Sequence, residues 1–487
     1  MTTAAAHTGT VLGAPAPARR LDGSLGVGSI VFMVVAAAAP LTVIGGAAPL
    51  GMLMGNGAGY PSMYAISAAI LLLFSVGLNA MSRTVAKPGA FFTYVGHGLG
   101  NAMGLGAAYL ALLVYTCVQV AVYAYLGADL AGLAASVGIE LPWWVFTLAM
   151  VALVGLLGFR HVELSAKVLG VVLVAEIGIV LVLAAAVVAT GGAEGLSLAP
   201  FEPSAVVSGA PGVGLMMAFA GFIGFEATAV FRDEARDPER TIPRATYAAV
   251  LLIGVFYTFA GWALVMAWGP SQVLGAAAAD PTNMVVLTAQ NYLGTAGAML
   301  LQVLLLTSLF ACVLSFHNVL TRYQHSMAGA GTLPQGLGAV HARHLSPYRS
   351  SLLQTGTAAA LVAVLAALAW DPVLQVFTWL SGIATLGIVL LMALTSLAVV
   401  VHFARHRNSA DGSWRTRWAP ALAMAGLLGA SAVIVAYFPM LVDAGWGLSL
   451  SLIAWIPALV AVGVVQARIL RRRDRTAYDR MFERITA

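Results

Sequence analysis

Charge is what this chain has least of. Only 9% of its 487 residues are Asp, Glu, Lys or Arg, against 60% hydrophobic. That ratio leaves too little polar surface to cover a water-exposed globule, so a soluble domain is excluded. Cysteine is nearly as scarce. Cys117 and Cys312 both lie inside apolar stretches, and two residues so placed assemble neither a disulfide framework nor a four-ligand zinc site. No H-E-x-x-H, no G-x-S-x-G, no His/Cys ligand spacing and no paired acids within the apolar runs occur. An enzyme reading therefore has no motif to stand on, and neither a metal nor another cofactor is expected.

What the chain has instead is apolar runs, at residues 25–50, 60–82, 98–126, 142–159, 162–190, 211–231, 243–268, 284–324, 350–369, 372–401, 418–441 and 446–468. Each is long enough for a hydrocarbon core of about 30 Å. Read as twelve spans, they place all 24 Lys and Arg residues on one side of the membrane. The alternate connections carry only acids, among them Glu140, Glu194, Glu202, Asp280, Asp371 and Asp443. By the positive-inside rule both termini are expected in the cytoplasm. The formal net charge of +5 then reflects loops facing anionic headgroups and gives no ground for a nucleic-acid partner. The predicted class is an all-α polytopic membrane protein with twelve transmembrane helices.

Two spans carry helix breakers partway along. Span 1 contains Ala38-Ala39-Pro40-Leu41-Thr42, followed by Gly45-Gly46 and Pro49, and span 6 contains Gly221-Phe222-Ile223-Gly224-Phe225. A lipid-exposed backbone with free N–H and C=O groups costs several kcal/mol per group, so an interrupted helix survives only where it lines a cavity or is wrapped by protein. Breaks five helices apart are what an inverted repeat of five plus five spans produces, with spans 11 and 12 added. The plainer alternative is that Gly and Pro here only permit kinks and close packing.

Span 6 and its exit read Phe219-Ala-Gly-Phe-Ile-Gly-Phe-Glu226, then Phe231-Arg-Asp-Glu-Ala-Arg-Asp-Pro-Glu-Arg-Thr-Ile-Pro-Arg-Ala245. This resembles the amino acid–polyamine–organocation (APC) superfamily permeases, whose sixth span carries F-x-G-F-E and continues into E-x-x-x-P-x-R-x-I-P. Lys87-Pro-Gly-Ala-Phe-Phe-Thr-Tyr94 is similar to the family's P-G-G-x-Y-x-Y before span 3, with Ala90 and Phe92 replacing the second Gly and the first Tyr. Asn318-Val-Leu-Thr-Arg322 and Ala328-Gly-Ala-Gly-Thr-Leu-Pro334 resemble the end of span 8 and its loop. Span 1 departs from the family's commoner G-S-G-I-F-type stretch. Fixed order and spacing over roughly 350 residues make the set far more specific than any one motif.

The resemblance implies the leucine-transporter (LeuT) fold and a secondary active transporter of amino acids, or closely related amines, working by alternating access. Proton-coupled symport is the expected mode. An obligate exchanger, or a non-transporting sensor on the same fold, is the alternative. The implied organisation is a disordered cytoplasmic tail (1–22), a transport core of spans 1–10 (23–401), a cytoplasmic loop (402–417), spans 11–12 (418–468) and a cytoplasmic C-terminal tail (469–487). The implied partners are a small-molecule substrate, protons and the lipid bilayer of the plasma membrane.

Substrate is then expected between the unwound segments, held mainly by the backbones of Ala38, Ala39, Pro40, Leu41 and Thr42 and of Gly221, Phe222, Ile223, Gly224 and Phe225. Exposed N–H groups at the start of one half-helix suit a carboxylate, and exposed C=O groups at the end of the other suit an ammonium. Glu176 stands in an otherwise apolar span 5, where a carboxylate costs about 2.5–3.5 kcal/mol on insertion scales. It falls where some family members carry a lysine in place of a bound sodium ion, which makes it a candidate proton-coupling group. Lys167, nine residues earlier, lies on the opposite helix face and cannot neutralise it. A neutral Glu hydrogen-bonded to a neighbouring helix is the alternative.

Glu226, beside the second break, is the other coupling candidate, or else a cap for freed backbone. Phe219 and Tyr94 are gating candidates, with packing as the alternative reading. Asp233, Glu234 and Arg240, in the loop after span 6, are candidates for an inner-gate ion-pair network or simply solvated charges. His317 is expected to be packed or hydrogen-bonded.

Overall fold

An apolar chain with no polar face to spare can satisfy its backbone only from within, and this one does so with helices. The structure, a computed structural model, describes residues 25–84, 91–160, 166–226, 228, 235–341, 343–344, 346–406, 412–479 and 481. Side chains at 37 and 166–169 are outside that description. The main helices are α1 Val27–Ala37, α2 Tyr60–Ser82, α3 Asn101–Ser136, α4 Trp143–Phe159, α5 Ala166–Thr190, α6 Pro211–Ala220, α7 Pro238–Trp268, α8 Met284–Gly329, α9 Tyr348–Ala367, α10 Thr378–Arg405, α11 Ala419–Leu441 and α12 Trp455–Arg473. Among the described residues the only β pairing is a single parallel bridge, Leu25 to Ala235, where Arg236 N–H donates to Leu25 C=O at 3.0 Å.

Nine helical runs among the described residues are long and apolar enough to cross a membrane, and Trp143–Phe159 and Pro211–Ala220 are shorter apolar helices. The difference from the expected twelve has local causes. Residues expected as spans 1 and 2 form one run, Val27–Ser82, of 56 residues. The chain turns within it, at non-helical Gly55 and at Gly57, whose φ of 55° suits a residue without a Cβ. α6 is short because it stops at its break. α8 carries a non-helical Gly294 with φ 70° near its start, which separates a first short segment from the long helix.

The first interruption is narrower than the sequence predicts. α1 ends at Ala37, Ala39 adopts φ 46° and ψ 68°, and helix resumes at Pro40. Proline suits that first helical position, since its missing N–H is one that no helix partner would use. It also disfavours right-handed helix in the residue before it. Pro40, Leu41 and Thr42 are therefore already helical, and the non-helical step is Ala38–Ala39. Two stretches of wider, π-type helix follow, Val43–Ala47 and Met52–Asn56. The second interruption tightens before it breaks: Gly221, Phe222 and Ile223 each donate to the carbonyl three residues back, and Gly224 then turns to φ 112°.

Small residues set the helix contacts. α12 lies along α3, where a Cβ on Gly463 would stand 2.7 Å from Gly106 Cα. Such contact lets two backbones touch where lipid offers no hydrophobic drive to associate. α10 packs against α3 and α11, and α7 against α2.

Candidate functional site

A helix that restarts has unpaired N–H groups in its first turn. At Pro40 the proline removes one, and the Glu176 carboxyl stands close to the next, that of Leu41. Ser308 on α8 donates to Glu176 Oε2 at 2.9 Å, and Thr42 Oγ1 donates to Ser308 Oγ at 3.0 Å. On the other side of the break, Tyr257 on α7 donates to the Ala38 carbonyl at 3.3 Å. The interruption is thus closed by side chains from three other helices. Glu176 is only 4% exposed. Its hydrogen-bond donor, the Ser308 hydroxyl, is neutral, and a negative group at this position gains from the helix dipole.

The second break has its own carboxylate. Gly224 N–H donates to Glu226 Oε2 at 2.9 Å, while Tyr115 on α3 donates to the other oxygen. Tyr115 belongs to an aromatic group: its ring centroid lies 5.9 Å from Phe316 and 5.7 Å from Tyr323, and Phe92 lies 5.3 Å from Tyr323. Glu226 therefore caps the freed backbone of the break and ties it to α3.

Between the breaks lies a cavity with about 60 Å³ open to the centres of water-sized molecules. Ala38, Ala39, Thr42 and Val43 face Gly221 and Ile223 across it, with Val118 and Val122 of α3, Cys312 and Phe316 of α8, and Ser381 and Thr385 of α10 completing the wall. Five of the ten residues expected at the unwound segments line this cavity. Pro40, Leu41, Phe222, Gly224 and Phe225 do not. Phe222 instead packs on Tyr257 at 5.9 Å, and Phe225 on Phe74 and Phe91 at 6.1 and 6.2 Å. Phe219 and Tyr94 are buried away from the cavity wall. The aromatic side chains at the wall are Phe316 and Phe377. Phe377 lies 5.1 Å from Tyr125, whose hydroxyl donates to Gly45 and Thr282 carbonyls, both at 3.2 Å.

Paired helix breaks around a shared cavity, each closed by a buried carboxylate, agree with what the chain matches. The family model described as amino acid permease covers residues 30–475. The chain belongs to the amino acid permease family. An uncharacterised transporter of Mycobacterium tuberculosis is 34% identical over 145 residues, which is 30% of this chain and 32% of that protein. The chain thus aligns with about a third of that relative's length. It is 22% identical to the low-affinity putrescine importer PlaP of Escherichia coli, covering 60% of this chain and 64% of the relative. It is likewise 22% identical to the branched-chain amino acid permease BcaP of Lactococcus lactis, covering 59% and 65%. These relatives are permeases and transporters, not enzymes, and with the apolar helices they mark a multi-pass membrane protein.

Within this permease, several predicted residues stand elsewhere. Arg240 pairs with Asp237 at 3.9 Å, both side chains more than half exposed, so the pair contributes little to stability. Asp233, Glu234 and the residues around Lys87–Ala90 lie outside the described residues. His317 is buried with Nε2 2.9 Å from Ser351 Oγ, against Gly158, where a Cβ would approach that nitrogen to 2.5 Å. Sequence reasoning does not single out Tyr257, Ser308 or Thr385, because hydroxyls are unremarkable in membrane helices. It also passes over Asp129. The apolar run ends near residue 126, but α3 continues to Ser136, and Asp129 is buried there accepting from Gln302 at 2.8 Å. A further ladder links three helices: Gln324 donates to Gln354 and Gln354 to Gln119, each at 2.8 Å.

Proposed function

We propose that this permease is a secondary active transporter of amino acids or closely related amines, driven by protons through Glu176. The observation that carries the reading is the Thr42–Ser308–Glu176 hydroxyl chain, which ties the restarted half-helix to a buried carboxylate. A carboxylate that caps the restart of a broken helix holds that half-helix against α5 and α8. Protonation removes its charge, weakens the Ser308 bond that ends the hydroxyl chain, and frees the half-helix to move relative to them. Release of the proton on the other side restores the cap. The relatives named as a putrescine importer and a branched-chain amino acid permease bracket the substrate class.

In this reading the helices make twelve crossings of the plasma membrane in the LeuT arrangement, with both termini cytoplasmic. Residues 23–401 form the transport core, 402–417 a cytoplasmic loop and 418–468 the added pair of spans, with tails at 1–22 and 469–487. Substrate sits between Ala38–Thr42 and Gly221–Phe225. Glu226 keeps the second break intact, and Phe219, Tyr94 and the Asp233–Glu234–Arg240 loop bias the inner gate. Purified protein in proteoliposomes, given radiolabelled amino acids under an imposed pH gradient, a sodium gradient or internal counter-substrate, tests the whole scheme. Accumulation driven by sodium alone sinks proton coupling, and uptake only against counter-substrate favours the exchanger.

A further inference from the structure

Most of the cavity wall is apolar or small, and none of its residues is charged. Its hydroxyls are Thr42, Ser381 and Thr385. Thr42 is committed to Ser308. Thr385 is different: it is 0% exposed, and its Oγ1 meets no hydrogen-bond partner among the described residues. That is not the habit of the helix it sits on. Thr378 and Thr395, on the same α10, both return their hydroxyls to the carbonyl four residues back. The equivalent carbonyl for Thr385 is that of Ser381, and it is not used. Other buried hydroxyls without a partner, such as Thr93, Ser67 and Ser396, lie away from the cavity. An unpaired buried hydroxyl is costly unless water or a ligand pairs it, and a ligand group that reproduces the bond displaces water without loss.

We infer that Thr385, with Ser381 one turn before it on the same helix face, selects the substrate's side group, and that the substrate is an amino acid with a short, uncharged side group ending in a hydroxyl. This rests on the reading of the cavity as an amino acid site. The absence of charge on the wall disfavours basic and acidic side groups, since a buried charge needs a partner. The wall's small and apolar residues suit a compact side group. An apolar side group of equal size fits but leaves Thr385 unpaired, which is the arrangement by which a site built to hydrogen-bond a hydroxyl rejects its isostere.

The test uses full-length protein in proteoliposomes and two isosteric pairs, L-serine against L-2-aminobutyrate and L-threonine against L-valine. Wild type is expected to favour the hydroxyl member of each pair by roughly two- to tenfold in uptake kcat/KM, the range of one net hydrogen bond. Thr385→Val should bring both ratios to about one, and Thr385→Ser should restore the preference. Thr385→Ala, which cannot clash, gives the same measurement if the valine variant is not recovered. Ratios near one in wild type, or ratios unchanged in Thr385→Val or Thr385→Ala, overturn the assignment while leaving the transport reading in place. Uptake of none of the four by wild type, with other amino acids or amines still accumulated, overturns this inference alone; uptake of no amino acid or amine overturns the transport reading with it.

Discussion

Ser308 on α8 donates to Glu176 on α5 at 2.9 Å, and through Thr42 the same hydroxyl reaches the restarted half of the first span. One carboxylate, through one serine, is therefore linked to both α8 and the restarted half of the first span. A stable buried carboxylate needs such partners. In the proposed transport cycle those partners are also the parts that move.

Glu176→Gln should abolish accumulation driven by a pH gradient while substrate binding and exchange against internal substrate persist. The amide keeps an acceptor for Ser308 but holds the site permanently uncharged, imitating the protonated state. Counterflow and pH-driven uptake measured on the same vesicles separate the two effects. Undiminished proton-driven uptake by the variant would assign Glu176 to packing.

Glu226→Gln should behave differently, lowering turnover by about tenfold or more under every driving force. Its carboxylate accepts from both Gly224 N–H and Tyr115, and replacing a charged acceptor by an amide weakens both bonds and presents a donor to one of them. Tyr115→Phe removes one of the two bonds and should be milder. A defect in Glu226→Gln confined to pH-driven uptake would instead make Glu226 a coupling residue.

How far the sequence foretold this is clearest at the first break. Pro40 among alanines was enough to place it, because the consequences of proline are local. Glu176 stood out for the same reason, as an acid in an apolar run. What closes the break was not legible. Ser308 and Tyr257 come from segments far from the break in the chain, and single hydroxyls at these positions look like any others in a membrane helix. Length is a poor guide as well: the apolar run ends near residue 126 although α3 continues past the buried Asp129, and the run at 284–324 bends at Gly294.

Ala39 offers a test of the break as a backbone device. A non-glycine residue at φ 46° bears strain of about 1–2 kcal/mol. Ala39→Gly should relieve part of it and raise the thermal midpoint slightly. Ala39→Val adds a β-branch where that conformation is least tolerated and should cost roughly 1–3 kcal/mol. Fluorescence-detected thermal unfolding in detergent reports both, and a valine variant as stable as wild type would mean that the helix does not break at Ala39.

The last prediction separates scaffold from site. At the crossing of α3 and α12, a Cβ on Gly463 would lie 2.7 Å from Gly106 Cα and from the Leu105 carbonyl oxygen. These are backbone atoms that cannot swing aside. Gly463→Val should therefore force the two helices apart at about 1–3 kcal/mol, the usual cost of overpacking. α12 contributes no residue to the cavity wall, so apparent substrate affinity in the folded fraction should stay within about twofold while the thermal midpoint falls. A loss of affinity at unchanged stability would contradict this, and would mean that the packing of α12 on α3 is transmitted to Val118 and Val122 at the cavity.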